Sequence, residues 1–268
     1  MHSQKIHNKK LILPVLIFLA GCLALAAVLY HSYRTNLKQV RAVTELNATT
    51  YAERLQNDMN RGVAITDTLE EIVLSENGKI DNFQKVAGNL MTDFVQSIQV
   101  APDGVVTDIY PEGGNEAGKI DLIHDESRGE ICRYGRDKNI VTMQGPFDLK
   151  QGGRGIAIRN PVYLECPDGT SAFWGFTIVI IRIPEVFEKS VHALTQFGYD
   201  YCLTKTVSPL SDDTEVVSSS GNILKEPITF EFEFCGSTFG LEVMPTDGWN
   251  QGWNILPQLV FGISIILL

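Results

Sequence analysis

The run "LILPVLIFLAGCLALAAVLY", Leu11 to Tyr30, holds 20 residues without one charge. At a helical rise of about 1.5 Å per residue it spans a hydrocarbon core roughly 30 Å thick, so residues 11–31 are expected to form a transmembrane helix. The ten residues before it carry Lys5, Lys9 and Lys10 and no acid, a bias that keeps residues 1–10 as a cytoplasmic tail. Arg34, Lys38 and Arg41 on the other flank weaken that bias. "ALAA", Ala24 to Ala27, has the small residues of a signal-peptidase site, so a cleaved signal peptide competes with an uncleaved anchor, which is the preferred reading.

The other end is also apolar: "ILPQLVFGISIILL", Ile255 to Leu268, carries no charge and follows Trp249 and Trp253, residues suited to a membrane interface. Fourteen residues are too few to span, and a buried core helix is the alternative. The preferred expectation for residues 253–268 is the start of a second transmembrane helix. With the first end inside, residues 32–252 then lie outside the cytoplasm, at the plasma (inner) membrane, and the lipid bilayer is a partner. That stretch is long enough for one large unit or two small ones. The net charge is −10 with every acid outside the apolar ends, a surface that repels nucleic acid and anionic headgroups. No nucleic-acid partner is expected.

Four of the five cysteines, Cys132, Cys166, Cys202 and Cys235, fall in the outside region, and an even count suits two disulfides in an oxidising space. Three pairings are open. Proximity in sequence favours Cys132 with Cys166 and Cys202 with Cys235, and free thiols are the alternative in an anaerobe. The spacing does not suit zinc.

From Asn36 to about Leu74 the chain has no Pro, and Leu37, Val40, Val43, Leu46, Tyr51, Leu55, Met59, Val63, Leu69, Ile72 and Val73 recur at helical spacing. This predicts a stalk helix over 32–76, closed by the turn residues of "SENGKI". "NFQKVAGNLMTDFVQSIQV" predicts a second helix through Phe83, Val86, Leu90, Phe94, Val95 and Ile98. "APDG" reads as a type I turn and "VVTDIYP" as a strand that Pro111 ends. Downstream, "NIVTMQGPFDL", "GRGIAIRNPVYLE", "SAFWGFTIVIIRI", "YDYCLTK", "EVVSS", "ITFEFEFC" and "TFGLEVMP" are β-branched or aromatic runs parted by "KQGG", "CPDGT" and "STFG" turns, an antiparallel meander. "PEVFEKSVHALTQFG", Pro184 to Gly198, predicts one helix dividing a larger strand set from a smaller one.

Asp108, Tyr110 and Asn115 bring a carboxylate, a phenol and an amide together near one strand, the groups of a polar pocket rim. Turn capping would use the same groups. Arg159, between "GIAI" and "NPVY", is suited to a bidentate pair with an anionic ligand or to a structural ion pair. "KQGGRG" lacks the G-K-[ST] ending of a phosphate loop and reads as a hairpin turn. "FWGF", Phe173 to Phe176, reads as core. His31, His124 and His192 are scattered, with neither H-E-x-x-H nor G-x-S-x-G, so neither catalysis nor a cofactor is expected.

Taken together, "APDGVVTDIYPEGGNE", "GPFDLKQGGRGIAIRNPVYL", "FWGFTIVII" and "FGYDYCL" resemble the CHASE family, the extracellular sensory domains of receptor histidine kinases and nucleotide cyclases, over about residues 60–205. Double-Cache sensors carry a similar "PDGVV" turn and are the near alternative. The resemblance implies a stalk helix, a membrane-distal PAS-like sheet over 77–190 that holds a small ligand, and a membrane-proximal PAS-like sheet over 191–252. It also implies a second membrane helix leading to a cytoplasmic output domain. In plant members the ligand is a cytokinin held against an acidic residue, and Asp108 is the nearest carboxylate on a matching strand. Met143, Gln144 and Phe147 fall on the family's second ligand-facing strand. The expectation is therefore an α+β chain: transmembrane helix, long stalk helix, two PAS-like antiparallel-sheet modules in tandem, and the start of a second transmembrane helix. Its expected function is that of a homodimeric, non-catalytic sensor of an unknown small molecule in a transmembrane receptor of the histidine kinase or diguanylate cyclase/phosphodiesterase type. A membrane-anchored extracytoplasmic hydrolase is the main alternative, and an adhesion module a third.

Overall fold

The computed structural model describes residues 2–113, 118, 120–149, 152–183, 185–188, 190–250 and 253–267. One helix, α1, runs from His2 to Ser75. Two compact units divide the chain, residues 47–244 and residues 1–46 with 245–268.

In the larger unit α1 buries Ala48, Ala52, Leu55, Met59, Leu69 and Val73, a single stripe at helical spacing. The stripe lies on a five-stranded antiparallel sheet of β1 (Val95–Pro102), β2 (Asp108–Tyr110), β3 (Thr142–Asp148), β4 (Arg154–Glu165) and β5 (Ser171–Ile183). The strand order is β2-β1-β5-β4-β3. Gly62 lets helix and sheet close up: a Cβ there would stand 3.1 Å from Ile158 Cδ1 and 3.4 Å from Ile181 Cγ2. Polar ties fix the register, with Thr177 Oγ1 donating to Thr66 O at 2.9 Å and Asn160 Nδ2 donating to Glu70 Oε2 at 2.7 Å.

Alternation along the strands sends Ile98, Ile156, Ile158, Val179 and Ile181 to the α1 side. Ala157, Phe176, Ile178 and Ile180 go to the outer side, where α3 (Gly129–Lys138) brings Ile131 and Cys132. Because both faces are covered, β4 and β5 are apolar over most of their length, with Arg159, Asn160 and Thr177 as buried polar exceptions. The glycine of "FWGF" is needed where β5 meets β1: Gly175 has φ +154, and a Cβ there would lie 2.2 Å from Ala101 O.

The second sheet, β6 (Tyr199–Thr206), β7 (Thr214–Ser219), β8 (Ile228–Phe234) and β9 (Ser237–Pro245), has the order β7-β6-β9-β8. Tyr201, Leu203, Phe232, Phe239 and Leu241 join the same core as the α1 stripe. Met143 N donates to Cys235 O at 3.2 Å, tying β3 to the β8–β9 turn. Lys205, fully buried, pairs with Glu215 at 2.9 Å.

In the smaller unit, α6 (Ile255–Leu267) packs on α1 through glycines: a Cβ on Gly262 would lie 2.2 Å from Leu25 Cδ1, and one on Gly21 3.2 Å from Ile266 Cγ1. Tyr33 meets Trp253 edge-on at 5.0 Å, and Arg41 sits 4.5 Å over the Trp249 ring. Among the described residues one helix, Leu13–Ser75, is long and apolar enough to cross a membrane. The whole is the expected α+β arrangement of a long apolar-ended helix, two antiparallel PAS-like sheets and a short apolar terminal helix.

Several local expectations are corrected. The second helix, α2, stops at Leu90, and Val95 and Ile98 belong to β1, which pairs antiparallel with both β2 and β5. Around "APDG" both Asp103 and Gly104 have positive φ and Val105 N bonds Pro102 O at 2.9 Å, the primed geometry that an Asp-Gly pair favours over type I. The last hairpin turns at Cys235 and Gly236, both with positive φ, so "STFG" is strand. The single helix expected from Pro184 to Gly198 is two short pieces, α4 (Glu185–Glu188) and α5 (Ala193–Gln196). Between them Ser190 Oγ donates back to Phe187 O, competing with helix continuation.

All five cysteines are free, so neither expected disulfide is formed. Thr204 and Thr206 on β6 bond Gly240 and Thr238 on β9, a register that sets Cys202 opposite Glu242. Cys235 lies about seven residues further along, roughly 20 Å at strand rise, against the 4.4–6.8 Å that a disulfide spans. Cys132 is buried in α3 within electrostatic reach of Arg159, and Cys166 sits beyond the end of β4, again roughly 20 Å along that strand. Burial pushes the Cys235 thiol up to about 12, so it stays protonated.

Candidate functional site

A cavity of about 170 Å³ opens on the outer face of the five-stranded sheet, away from α1. Its floor is made by alternate residues of three strands: Ser97 and Gln99 from β1, Ile178 and Ile180 from β5, and Arg159 from β4. Bulges shape two walls. The β1–β5 register shifts between Val95 and Ser97, which brings Gln96 into the lining beside Ser97. The β3–β4 register shifts between Gln144 and Phe147, and Phe147, Asp148 and Leu149 form that side. Ile120, Leu122 and Arg128, from the chain leading into α3, close it.

The approach to α3 is held by one carboxylate. Asp125 Oδ1 accepts from Ser127 N at 2.9 Å, Ser127 Oγ at 2.7 Å and Arg128 N at 2.9 Å, while Oδ2 stands 3.6 Å from Arg128 Nη1. The Ser127 hydroxyl bond, ahead of the nearby Arg128 charge, holds this carboxyl below its usual range. Gln144 Nε2 donates to Ser127 O at 2.8 Å and pins the turn to β3. Tyr163 OH donates to Arg136 O, holding the end of α3 to β4.

Arg159 is the unusual group. It is 3% exposed, and neither Nε nor Nη1 has a hydrogen-bond partner. Burial lowers its pKa, yet a guanidinium is the most basic side-chain group and remains charged. A buried unpaired charge costs several kcal/mol, so a site that keeps one is built for a counter-charge. Burial also raises the Cys132 thiol, leaving it neutral beside the guanidinium.

The fold brings Arg159 and Phe147 of the expected site residues to this cavity. Gln144 lies on the same face and supports the rim through Ser127, with its Oε1 buried and unbonded. Met143 pairs with Ile158 and is buried in the core on the α1 side. Asp108 and Tyr110 stand opposite Val100 and Ile98, hence on the α1 face of the sheet. Asp108 borders a groove with Lys79 and Trp174, and Tyr110 packs on α2 beside Gly88. Asn115 lies outside the described residues. Sequence reasoning missed Ser97, Gln99 and Arg128. For Ser97 and Gln99 the signal was present in "VQSIQV", where three polar residues stand between the buried Val95 and Val100. Among the described residues no group of three or more His, Cys, Asp or Glu is placed to hold a metal ion.

The family model described as the CHASE domain matches residues 31–215. An extracellular ligand binding receptor from Desulfohalobium retbaense superposes with a TM-score of 0.58 at 12% identity, over 75% of this chain and 39% of that one. The chain thus spans well under half the length of that receptor. The ligand-binding domain of the Campylobacter jejuni chemoreceptor Tlp3, solved in complex with 4-methylisoleucine, gives 0.51 at 11% identity, over 83% of this chain and 95% of that one. At these identities the likeness is one of fold. No curated protein sequence matches the chain.

Proposed function

The chain belongs to the CHASE domain family, an extracellular sensory ligand-binding region, and from that premise we propose that the outer-face cavity is where it takes up a small molecule. The observation that carries this reading is the buried, unpartnered Arg159 on the floor of a cavity whose walls are mostly apolar or neutral polar, with Arg128 and the rim residue Asp148 as the other charged groups. The Tlp3 domain, of like fold, is complexed with an amino-acid derivative, which accords with a ligand of this size.

In this reading residues 32–76 form a stalk, residues 77–190 a distal sensing module and residues 191–252 a proximal module, all outside the cytoplasm of a bacterial-type inner membrane. A homodimer through the stalk carries the ligand state to a second membrane helix and an output domain of the histidine kinase or diguanylate cyclase/phosphodiesterase type. The ligand biases a two-state equilibrium only by its differential affinity, about 1.4 kcal/mol for each tenfold preference. The Asn160 bond to Glu70 is a route by which a change on the sheet reaches α1.

A thermal-shift screen of the chain in detergent micelles against nucleobases, amino acids, carboxylates and quaternary amines tests the site. A hit is expected to be lost in Gln99→Trp, which fills the cavity, and kept in Asp108→Ala and Tyr110→Ala, which lie on the other face. A hit lost only in the Asp108 and Tyr110 variants would move the site to that face.

A further inference from the structure

We infer that the ligand carries a carboxylate that pairs with the Arg159 guanidinium, joined to a compact apolar body that lies on Ile178 and Ile180. This rests on the reading of the outer-face cavity as the ligand site and names the chemistry that site selects.

Every described acid near Arg159 is committed or distant from its donors. Asp125 is bonded on both oxygens by Ser127 and Arg128, and Asp148 is an exposed rim residue at the end of β3. Cys132 faces Arg159 from α3 as a neutral thiol. Arg128 adds a second positive charge to the lining. Arg159 therefore gives the cavity a positive floor, and its Nε and Nη1, closed to water as the side chain stands, are taken by no protein acceptor. A planar carboxylate offers two oxygens to such a planar donor group, the match for which arginine is suited.

The body follows from the walls. Ile120, Leu122, Phe147, Leu149, Ile178 and Ile180 are apolar, which disfavours a compact, heavily hydrated dianion such as free phosphate. The volume of about 170 Å³ compares with a cavity of about 150 Å³ that takes up benzene, so the body has roughly six carbon atoms. Gln99 Nε2 donates to Ser97 Oγ at 3.0 Å, leaving the Gln99 carbonyl oxygen to accept from a hydroxyl or ammonium substituent.

Isothermal titration of the chain in micelles tests this with 4-methylpentanoate, benzoate, their primary amides, leucine and inorganic phosphate, for wild type, Arg159→Gln and Arg159→Lys. Leucine against 4-methylpentanoate reports whether an ammonium group is also read. At least one carboxylate is expected to bind, with its amide at least 30-fold weaker. Arg159→Gln, shown folded by its melting transition, should lose that acid by a similar factor, and Arg159→Lys should recover part of it. Below the acid's own pKa, affinity should fall about tenfold per pH unit, because only the ionised form pairs. Equal binding of acid and amide, or undiminished acid binding by Arg159→Gln, would overturn the carboxylate while leaving the sensor reading intact. So would Arg159-dependent binding of phosphate alone, or binding only of neutral compounds from the wider screen. Absence of binding by every compound in both experiments would overturn the sensor reading itself.

Discussion

Arg159 carries two opposed roles, and they separate under mutation. In the ligand-free protein its charge is buried without a partner, so replacing it by an apolar side chain of similar length removes a cost. Arg159→Met is predicted to stabilise the ligand-free chain by about 1–3 kcal/mol while abolishing ligand binding, the trade between stability and function that a site of this kind implies. A thermal melt decides it. A variant destabilised by a similar amount would mean that the guanidinium is held by structural partners. At this scale the sequence was partly legible. Arg159 stands out as a cation after the apolar triplet Ile156 to Ile158, but its face follows only from its pairing with Ile178 on the outer side of the sheet. Asp108 and Tyr110 were legible as polar groups on a strand but not as to face, because a strand's side chains flip with each residue. Which face of β2 looks toward α1 depends on its pairing with Ile98 and Val100, a long-range fact.

Elements were legible where pattern and length agreed. Strands β4 and β5 fall where read, and α1 keeps Leu55, Met59, Leu69 and Val73 of the expected stripe buried, while Val43 and Leu46 are exposed and Ala48 and Ala52 take the buried line instead. The boundary at Met91 was misread because Phe94, Val95 and Ile98 satisfy a helical spacing as well as a strand's, and the β1–β5 bulge blurs the alternation. Helix α3 gave little signal. "GEICRYGRDK" holds two glycines that exist for packing: a Cβ on Gly129 would lie 2.6 Å from Ile123 O, and one on Gly135 3.0 Å from Thr142. Such residues lower helix propensity while allowing α3 to sit close on the sheet. The same logic makes "FWGF" a test at this scale. Gly175→Ala forces a methyl against the Ala101 carbonyl at a positive φ and should cost about 2–3 kcal/mol, seen as a lower urea midpoint at unchanged slope. A loss under about 0.5 kcal/mol would show that β1 and β5 can part at this point.

For the whole molecule, the two apolar ends, the acidic outside region and the four-part motif order were readable directly, and the family match over residues 31–215 contains the stretch that the motifs marked. The cavity itself was not readable. It is assembled from β1, β3, β4, β5 and the approach to α3, segments far apart in sequence whose meeting depends on the strand order β2-β1-β5-β4-β3. The central claim is that this assembled cavity, with Arg159 at its floor, is where the chain meets its ligand. The most direct measurement is a crystal structure of the protein with the strongest compound from the thermal-shift screen. The account predicts density for that compound between β1, β4 and β5, with an acidic group about 3 Å from the Arg159 guanidinium. Density in the groove beside Asp108 and Trp174, with Arg159 still unpaired, would contradict it.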